Sequence, residues 1–322
     1  SQIKEDLKIL SAIGIKVLRT YNLQLDQAQN ILKAIRDLKS EDAGFEMYVM
    51  LGAWIDCQGA WTQSGPNHDI EDLENNTSEI AKAIALANQY PEIVKIIAVG
   101  NEAMVHWATS YFVKPAVILK WVSYLQTQKA KGNLPESLWI TSSDNFASWG
   151  GGDAAYHNED LTALIKAVDY ISLHTYPFHD THYNSGFWVE SQKNTAHLDT
   201  KARIELAVQS AVDYAVSQYQ AVESYVESLG IEKPIHIGET GWASVSSDLY
   251  GPSGTQAADQ YKQALYYQKM SDWTKANRVS CFYFEAFDEP WKDAAHPLGS
   301  ENNFGLIDVK GTLKYALWES FD

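Results

Sequence analysis

The 322-residue chain is short of cysteine, short of basic residues, and has no long apolar run. Its two cysteines, Cys57 and Cys281, cannot build a disulfide framework and show no metal-ligand spacing, so two free thiols are expected. Cys57 follows the end of one expected strand and Cys281 begins another, which in a parallel barrel sets them at opposite ends. With 25 Lys and Arg against 41 Asp and Glu, the formal charge is −16, and nucleic acid, which demands a basic face, is excluded as a partner. No stretch approaches the ~20 apolar residues that span a bilayer, so no membrane span is expected. The opening residues Ser1 to Leu7 are charged and amphipathic, unlike a secretory signal. What the chain has in quantity is aromatic: 11 Trp and 18 Tyr, which serve as core packing or as platforms for flat ligands.

Helical and strand periods alternate along the sequence. Ile3, Leu7 and Leu10 read as an opening helix that Gly14 stops; strands follow over 16–21, 45–55, 94–102, 138–145, 168–176, 234–242 and 279–287. Between them, helices are expected over 26–38, from a cap near Asn76 or Thr77 to Gln89, and over 115–130, 161–166, 200–229 and 255–275, with a closing helix over 312–318. A Gly-rich loop falls at 149–153 and an insertion at 177–199. Strands alternating with helices imply parallel pairing through helical crossovers. No Gly-x-Gly-x-x-Gly follows any strand, which disfavours a doubly wound nucleotide-binding sheet. The expected fold is therefore α/β, a (β/α)8 TIM barrel in which seven strands are seen, the opening helix being what would follow a first strand absent from the sequence. Residues 1–322 read as a single catalytic domain, without linker or repeat.

In such a barrel the strand C-termini share one face, and the residues there are Tyr21, Trp54, Asn101 with Glu102, Asp144 with Asn145, His174 with Tyr176, Glu239, and Glu285 with Asp288 and Glu289. The stretch Pro234 to Trp242 stands out, because a strand apolar enough to be buried on both faces ends at a carboxylate. A salt bridge would account for one such Glu; a second strand ending in Glu102 points instead to a pair. Two carboxyls among amides and indoles are what cleavage of a glycosidic bond requires, one donating a proton to the leaving oxygen and the other attacking or activating water. Trp54, Trp61, Trp107, Trp149, Trp188, Trp242 and Trp291 are candidates for stacking on sugar faces, core packing being the alternative for each. No nucleophile elbow, Cys and His pair or zinc-helix motif occurs.

Val99-Gly100-Asn101-Glu102, followed much later by Ile237-Gly238-Glu239-Thr240-Gly241-Trp242, resembles the paired motifs of family 17 glycoside hydrolases, β-1,3-glucanases within the retaining clan A of barrel glycosidases. Leu18 to Tyr21, Phe287 to Glu289 with Lys292, and Glu301 to Ile307 extend the resemblance over nearly the whole chain; Ala243 departs from it, standing where the family usually has Pro. The resemblance implies an endo-acting hydrolase of laminarin-type β-1,3-glucan, with Glu102 as acid/base and Glu239 as nucleophile. A retaining mechanism would set the two carboxyls ~5 to 5.5 Å apart. Tyr176 is the expected donor to Glu239, and Asn101 the expected partner of the sugar 2-hydroxyl. Tyr21, Trp54, Asp144, Asn145, His174, Trp242, Glu289, Trp291 and Lys292 complete the expected substrate-binding set, with no cofactor and no metal.

Other readings stay open at this level. A β-1,3-glucanosyltransferase would use the same residues with a sugar in place of water, and a non-catalytic glucan-binding barrel would keep the fold alone. His174, His179 and His182 with Asp180 are poorly spaced for zinc. Overlapping glycosylation triplets at Asn75 to Ser78 coincide with a helix cap. A polymer substrate favours a monomeric secreted, periplasmic or cell-surface enzyme, and the insertion, with Tyr183, Phe187 and Trp188, is expected to wall one side of the cleft.

Overall fold

The computed structural model describes residues 2–319. Its strands are β1 (Val17–Arg19), β2 (Tyr48–Ala53), β3 (Cys57–Gln58), β4 (Asn67–Glu71), β5 (Val94–Asn101), β6 (Trp139–Asn145), β7 (Ile171–His174), β8 (Ile235–Gly241) and β9 (Cys281–Phe284). Its α-helices are α1 (Gln2–Ala12), α2 (Gln27–Glu41), α3 (Leu73–Gln89), α4 (Pro115–Ala130), α5 (Glu159–Ala167), α6 (Pro177–Tyr183), α7 (Gly186–Glu190), α8 (Thr200–Ser228) and α9 (Gln260–Asn277). Seven strands form a sheet in the order β1-β2-β5-β6-β7-β8-β9, each next to its successor in the chain. That sequential order with helical crossovers is the topology of an α/β barrel of the TIM type.

The chain divides into two compact units, one running to Leu173 and including Ala221–His236, the other holding His174–Gln220 and everything from Ile237 on. In the first unit, parallel registers such as Leu18↔Val49 and Ile97↔Ile140 align β1 with β2 and β5 with β6. Helices cover these strands because their apolar residues recur on one face: Ala28, Leu32, Ile35 and Leu38 of α2 are all buried. Side-chain caps set the starts, Asp72 accepting from the Asn75 N–H ahead of α3 and Asn158 from the Leu161 N–H ahead of α5. From Ile237 on, in the second unit, β8 is buried on both faces, as its apolar run implies. It pairs in parallel with β9 at Ile237↔Cys281 and Thr240↔Tyr283. Gly241 permits this approach, since a Cβ there would lie 2.1 Å from the Phe284 carbonyl oxygen.

Several sequence expectations are corrected. Helix α3 begins at Leu73 under Asp72, not at Asn76 or Thr77. Asn76 is fully buried, bonding the Asp56 backbone through both halves of its amide, so its glycosylation triplet is closed off. The expected closing helix is only a 3-10 turn, Tyr315–Leu317, because Leu313 pairs with Ile307 and Lys314 turns inward. The two-stranded pair β3–β4 has no counterpart among the expected strands, and the insertion at 177–199 is largely ordered as α6 and α7. Cys57 and Cys281 are free thiols. No described helix is long and apolar enough to cross a membrane.

Candidate active site

In the first unit the candidate residues gather where β5 ends. The β5–β6 register shifts between Ala98 and Asn101, Gly100 takes a φ of 80°, and Glu102 follows at a φ of 47°. A ladder irregularity of this kind re-aims the side chains beyond it. Left-handed backbone at a non-glycine residue is a strain that persists where the surroundings over-determine it, often at functional sites. Here the Glu102 N–H donates to the Ser143 carbonyl at 2.9 Å, tying the strained residue to β6. Asn101 is held by Arg19, whose Nη2 donates to its Oδ1 at 2.5 Å while the guanidinium lies 4.6 Å from the centroid of the Tyr21 ring. The Arg19 contact leaves the amide's NH2 half as the donor for another partner.

Asp144 is fully buried, accepting from the Met104 N–H at 2.7 Å and from Ser148 Oγ at 2.7 Å. It braces the loop after Glu102 and does not present a face to a sugar, a correction to its expected role. Asn145, half-buried, caps the next turn by accepting from the Ala147 N–H. Trp54 is half-buried, its indole donating to Asp56 at 2.6 Å. Nothing in the local pattern marks Glu79, a buried carboxylate that accepts from the Leu23 and Trp54 N–H groups and so joins the ends of β1 and β2. Burial raises its pKa and the two N–H donors oppose the shift.

In the second unit Glu239 sits within β8, 8% exposed, inside a second register shift between Ile237 and Thr240. Tyr176 donates to its Oε1 at 2.5 Å, the contact expected from the sequence. His174 is fully buried, with Nδ1 3.9 Å from Glu239 Oε2, so it neighbours the carboxylate and offers no ring face to solvent. Trp242 is also fully buried; it packs against Phe178, Trp188 and Tyr266, and its N–H donates to the Ala257 carbonyl. Trp242 is thus core and not a stacking platform. Trp149 and Trp188 are buried too, and Trp188 donates to Thr255, so the insertion presents no indole there. Trp61, Trp107 and Trp291 are the exposed candidates. No group of three metal-binding side chains occurs among the described residues.

Lys292 bonds two carboxylates, Glu285 and Glu289, each at 2.8 Å, and its ammonium lies 3.9 Å from the centroid of the Phe284 ring. One cation cannot balance two charges. Burial pushes Glu285 up to about 9, opposed by the Lys292 ammonium and helped by Glu289, and the Glu285 side chain is only 11% exposed. Glu285 therefore holds a proton in the folded chain at neutral pH that it loses on unfolding. Because its folded value lies above the unfolded one, its contribution is complete below pH ~4.5 and is lost as pH rises toward 9, at up to about 1.4 kcal/mol per pH unit. Glu285→Gln should flatten the fall in stability across that window, measured as urea midpoints at pH 5, 7 and 9. An unchanged pH dependence would refute the assignment.

Strand-end carboxylates on a parallel barrel, set among amides and phenols, are the equipment of a glycoside hydrolase. Residues 1–305 match the BtgE/BtgC glycoside hydrolase domain, and the chain belongs to that family. Among solved structures it is similar to an endo-laminarinase from Formosa Hel1_33_131, at 62% identity over 98% of this chain and 80% of the other, with a TM-score of 0.97. A family 17 β-1,3-glucanosyltransferase from Rhizomucor miehei shares the fold at 19% identity and a TM-score of 0.67, covering 99% of this chain and 91% of the other. Among curated relatives, a probable glucan endo-1,3-beta-glucosidase (btgC) of Aspergillus terreus is 24% identical over 98% of this chain. The chain spans 41% of that relative's length.

Proposed function

We propose that this chain is an endo-acting β-1,3-glucan hydrolase that cleaves laminarin-type polymer with retention of configuration. The observation that carries the reading is the 62% identity, over 98% of the chain, with a protein described as an endo-laminarinase. Chemically, an ionised Glu239 attacks the anomeric carbon; the bond to the leaving glucan oxygen breaks, and the Glu102 proton passes to that oxygen. Water then gives a proton to Glu102 while its oxygen attacks the same carbon, and the bond to Glu239 breaks. The Tyr176 hydroxyl on Glu239 Oε1 holds the carboxylate in position, and Asn101, its amide oriented by Arg19, supplies an N–H donor for the sugar 2-hydroxyl.

Glu289, Lys292, Tyr21, Trp54, Asn145 and exposed Trp291 are the further residues proposed to contact sugar, Glu289 and Lys292 being paired with each other. The substrate is an uncharged polymer, compatible with the net charge of −16. On this reading the chain is one catalytic domain, monomeric and acting outside the cytoplasm, where such a polymer is met.

Reducing-sugar release should be highest on linear β-1,3-glucan, lower on mixed-linkage glucan and negligible on β-1,4-glucan. Preference for the β-1,4 polymer would overturn the substrate assignment. Products longer than a defined oligosaccharide substrate would convert the reading to a glucanosyltransferase.

A further inference from the structure

The most exposed aromatic surface near the Glu102 strand end has no role in the steps above. The loop joining β3 to β4 carries Trp61, 63% exposed and with a φ of 62°. Keeping a large apolar side chain in water on left-handed backbone is unfavourable on both counts. The surroundings nevertheless enforce it. The Trp61 ring stacks on Tyr111, with centroids 5.1 Å apart and planes at 23°. Asp56 accepts from the Trp54 indole at 2.6 Å, and Trp54 in turn packs on Tyr111 at 5.0 Å. Asp56 is 5% exposed and clamped in turn, its backbone N–H and carbonyl both bonded by the buried Asn76.

The stack is also joined to the chemistry. Tyr111, 8% exposed, donates its hydroxyl to the Asn101 carbonyl at 3.2 Å, one residue before Glu102. Tyr111 belongs to a small apolar cluster with Val105 and Ala108 in the segment that follows Glu102, so platform and acid share one packed element. We propose that Trp61 is the platform for the sugars on the leaving-group side of the scissile bond. The inference rests on the reading of Glu102 as the acid. Because the acid gives its proton to the leaving oxygen, the sugars departing with that oxygen lie on its side, and an indole face accepts the C–H face of a glucosyl unit. After the first displacement the same face holds an incoming acceptor sugar, so it sets how often transfer competes with water.

Two substrates separate this role from a general one: laminarihexaose, whose leaving group is sugar, and a laminaritriosyl fluoride, whose leaving group is fluoride and cannot touch an indole. Trp61→Ala should lower kcat/KM on the hexaose by about ten-fold more than on the fluoride. It should also reduce products longer than the substrate. Trp61→Phe, which keeps a ring over Tyr111, should recover most of the loss. Equal losses on both substrates, or no loss on the hexaose, would overturn the proposal. Wild-type protein inert on both substrates would instead sink the hydrolase reading, and this inference with it.

Discussion

Glu239→Gln should bring glucan cleavage down by at least about 10⁴-fold in kcat while leaving the fold intact. The substitution keeps an oxygen that can still accept from Tyr176, now 2.5 Å from Glu239 Oε1, so the hydrogen bond survives and only the proposed nucleophile is lost. Glu239→Ala goes further and vacates the space. An added azide ion can then attack a glycosyl fluoride from the emptied side, giving a glycosyl azide of inverted configuration. Glu102→Ala should behave differently. The fluoride needs little protonation to leave, so the glycosyl-enzyme still forms, and azide attacking it yields the azide of retained configuration. Product stereochemistry thus assigns the two carboxylates independently of rate. Identical azide products from the two variants, or a Glu239→Gln variant with substantial activity, would refute the assignment.

Lys314→Met should cost about 3–5 kcal/mol of stability, read from urea unfolding. Lys314 is 5% exposed, and its Nζ lies 2.7 Å from both Asp288 Oδ1 and Ser244 Oγ. Asp288, 9% exposed, also accepts from the Gly305 N–H at 2.9 Å. Burial lowers the Lys314 pKa and raises that of Asp288, in each case against the pull of the partner. Removing the ammonium leaves a carboxylate buried without its counter-charge, which is why breaking such a pair costs more than the pair is worth. Combining Asp288→Leu with Lys314→Met should therefore recover part of the loss. If Lys314→Met alone changed stability by less than about 1 kcal/mol, within the range of a surface ion pair, the picture of a desolvated pair would be wrong.

These two sites differ in how much of them is legible in the sequence. Glu102 and Glu239 are legible because each ends a short apolar run, and the run itself reports burial. Most of the strand and helix alternation is legible for the same reason, since the hydrophobic period is written within a few neighbouring residues. The Tyr176 contact also follows from its place just past β7. Lys314 is not legible. It falls in a stretch with helical spacing, and its inward turn is made by Asp288, 26 residues away, and Ser244, 70 residues away, partners that no local pattern reveals. The β3–β4 pair is invisible because β3 has two residues and β4, Asn67–Glu71, is mostly polar.

The indoles show the division best. Trp61 and Trp242 are the same side chain, each following a glycine or small residue near a strand end, yet one is 63% exposed and the other fully buried. By itself the sequence determined the parallel α/β alternation, the acidic surface and the two strand-end carboxylates, because these depend on residues adjacent in the chain. Which aromatics face water, which carboxylates are paired and which keep a proton was decided only by tertiary packing. Trp242 is enclosed by Phe178 and Tyr266 from distant segments, Trp61 is propped outward on Tyr111, and Glu285 is desolvated beside Lys292. Burial and pairing are properties of neighbours in space, and no local period encodes them.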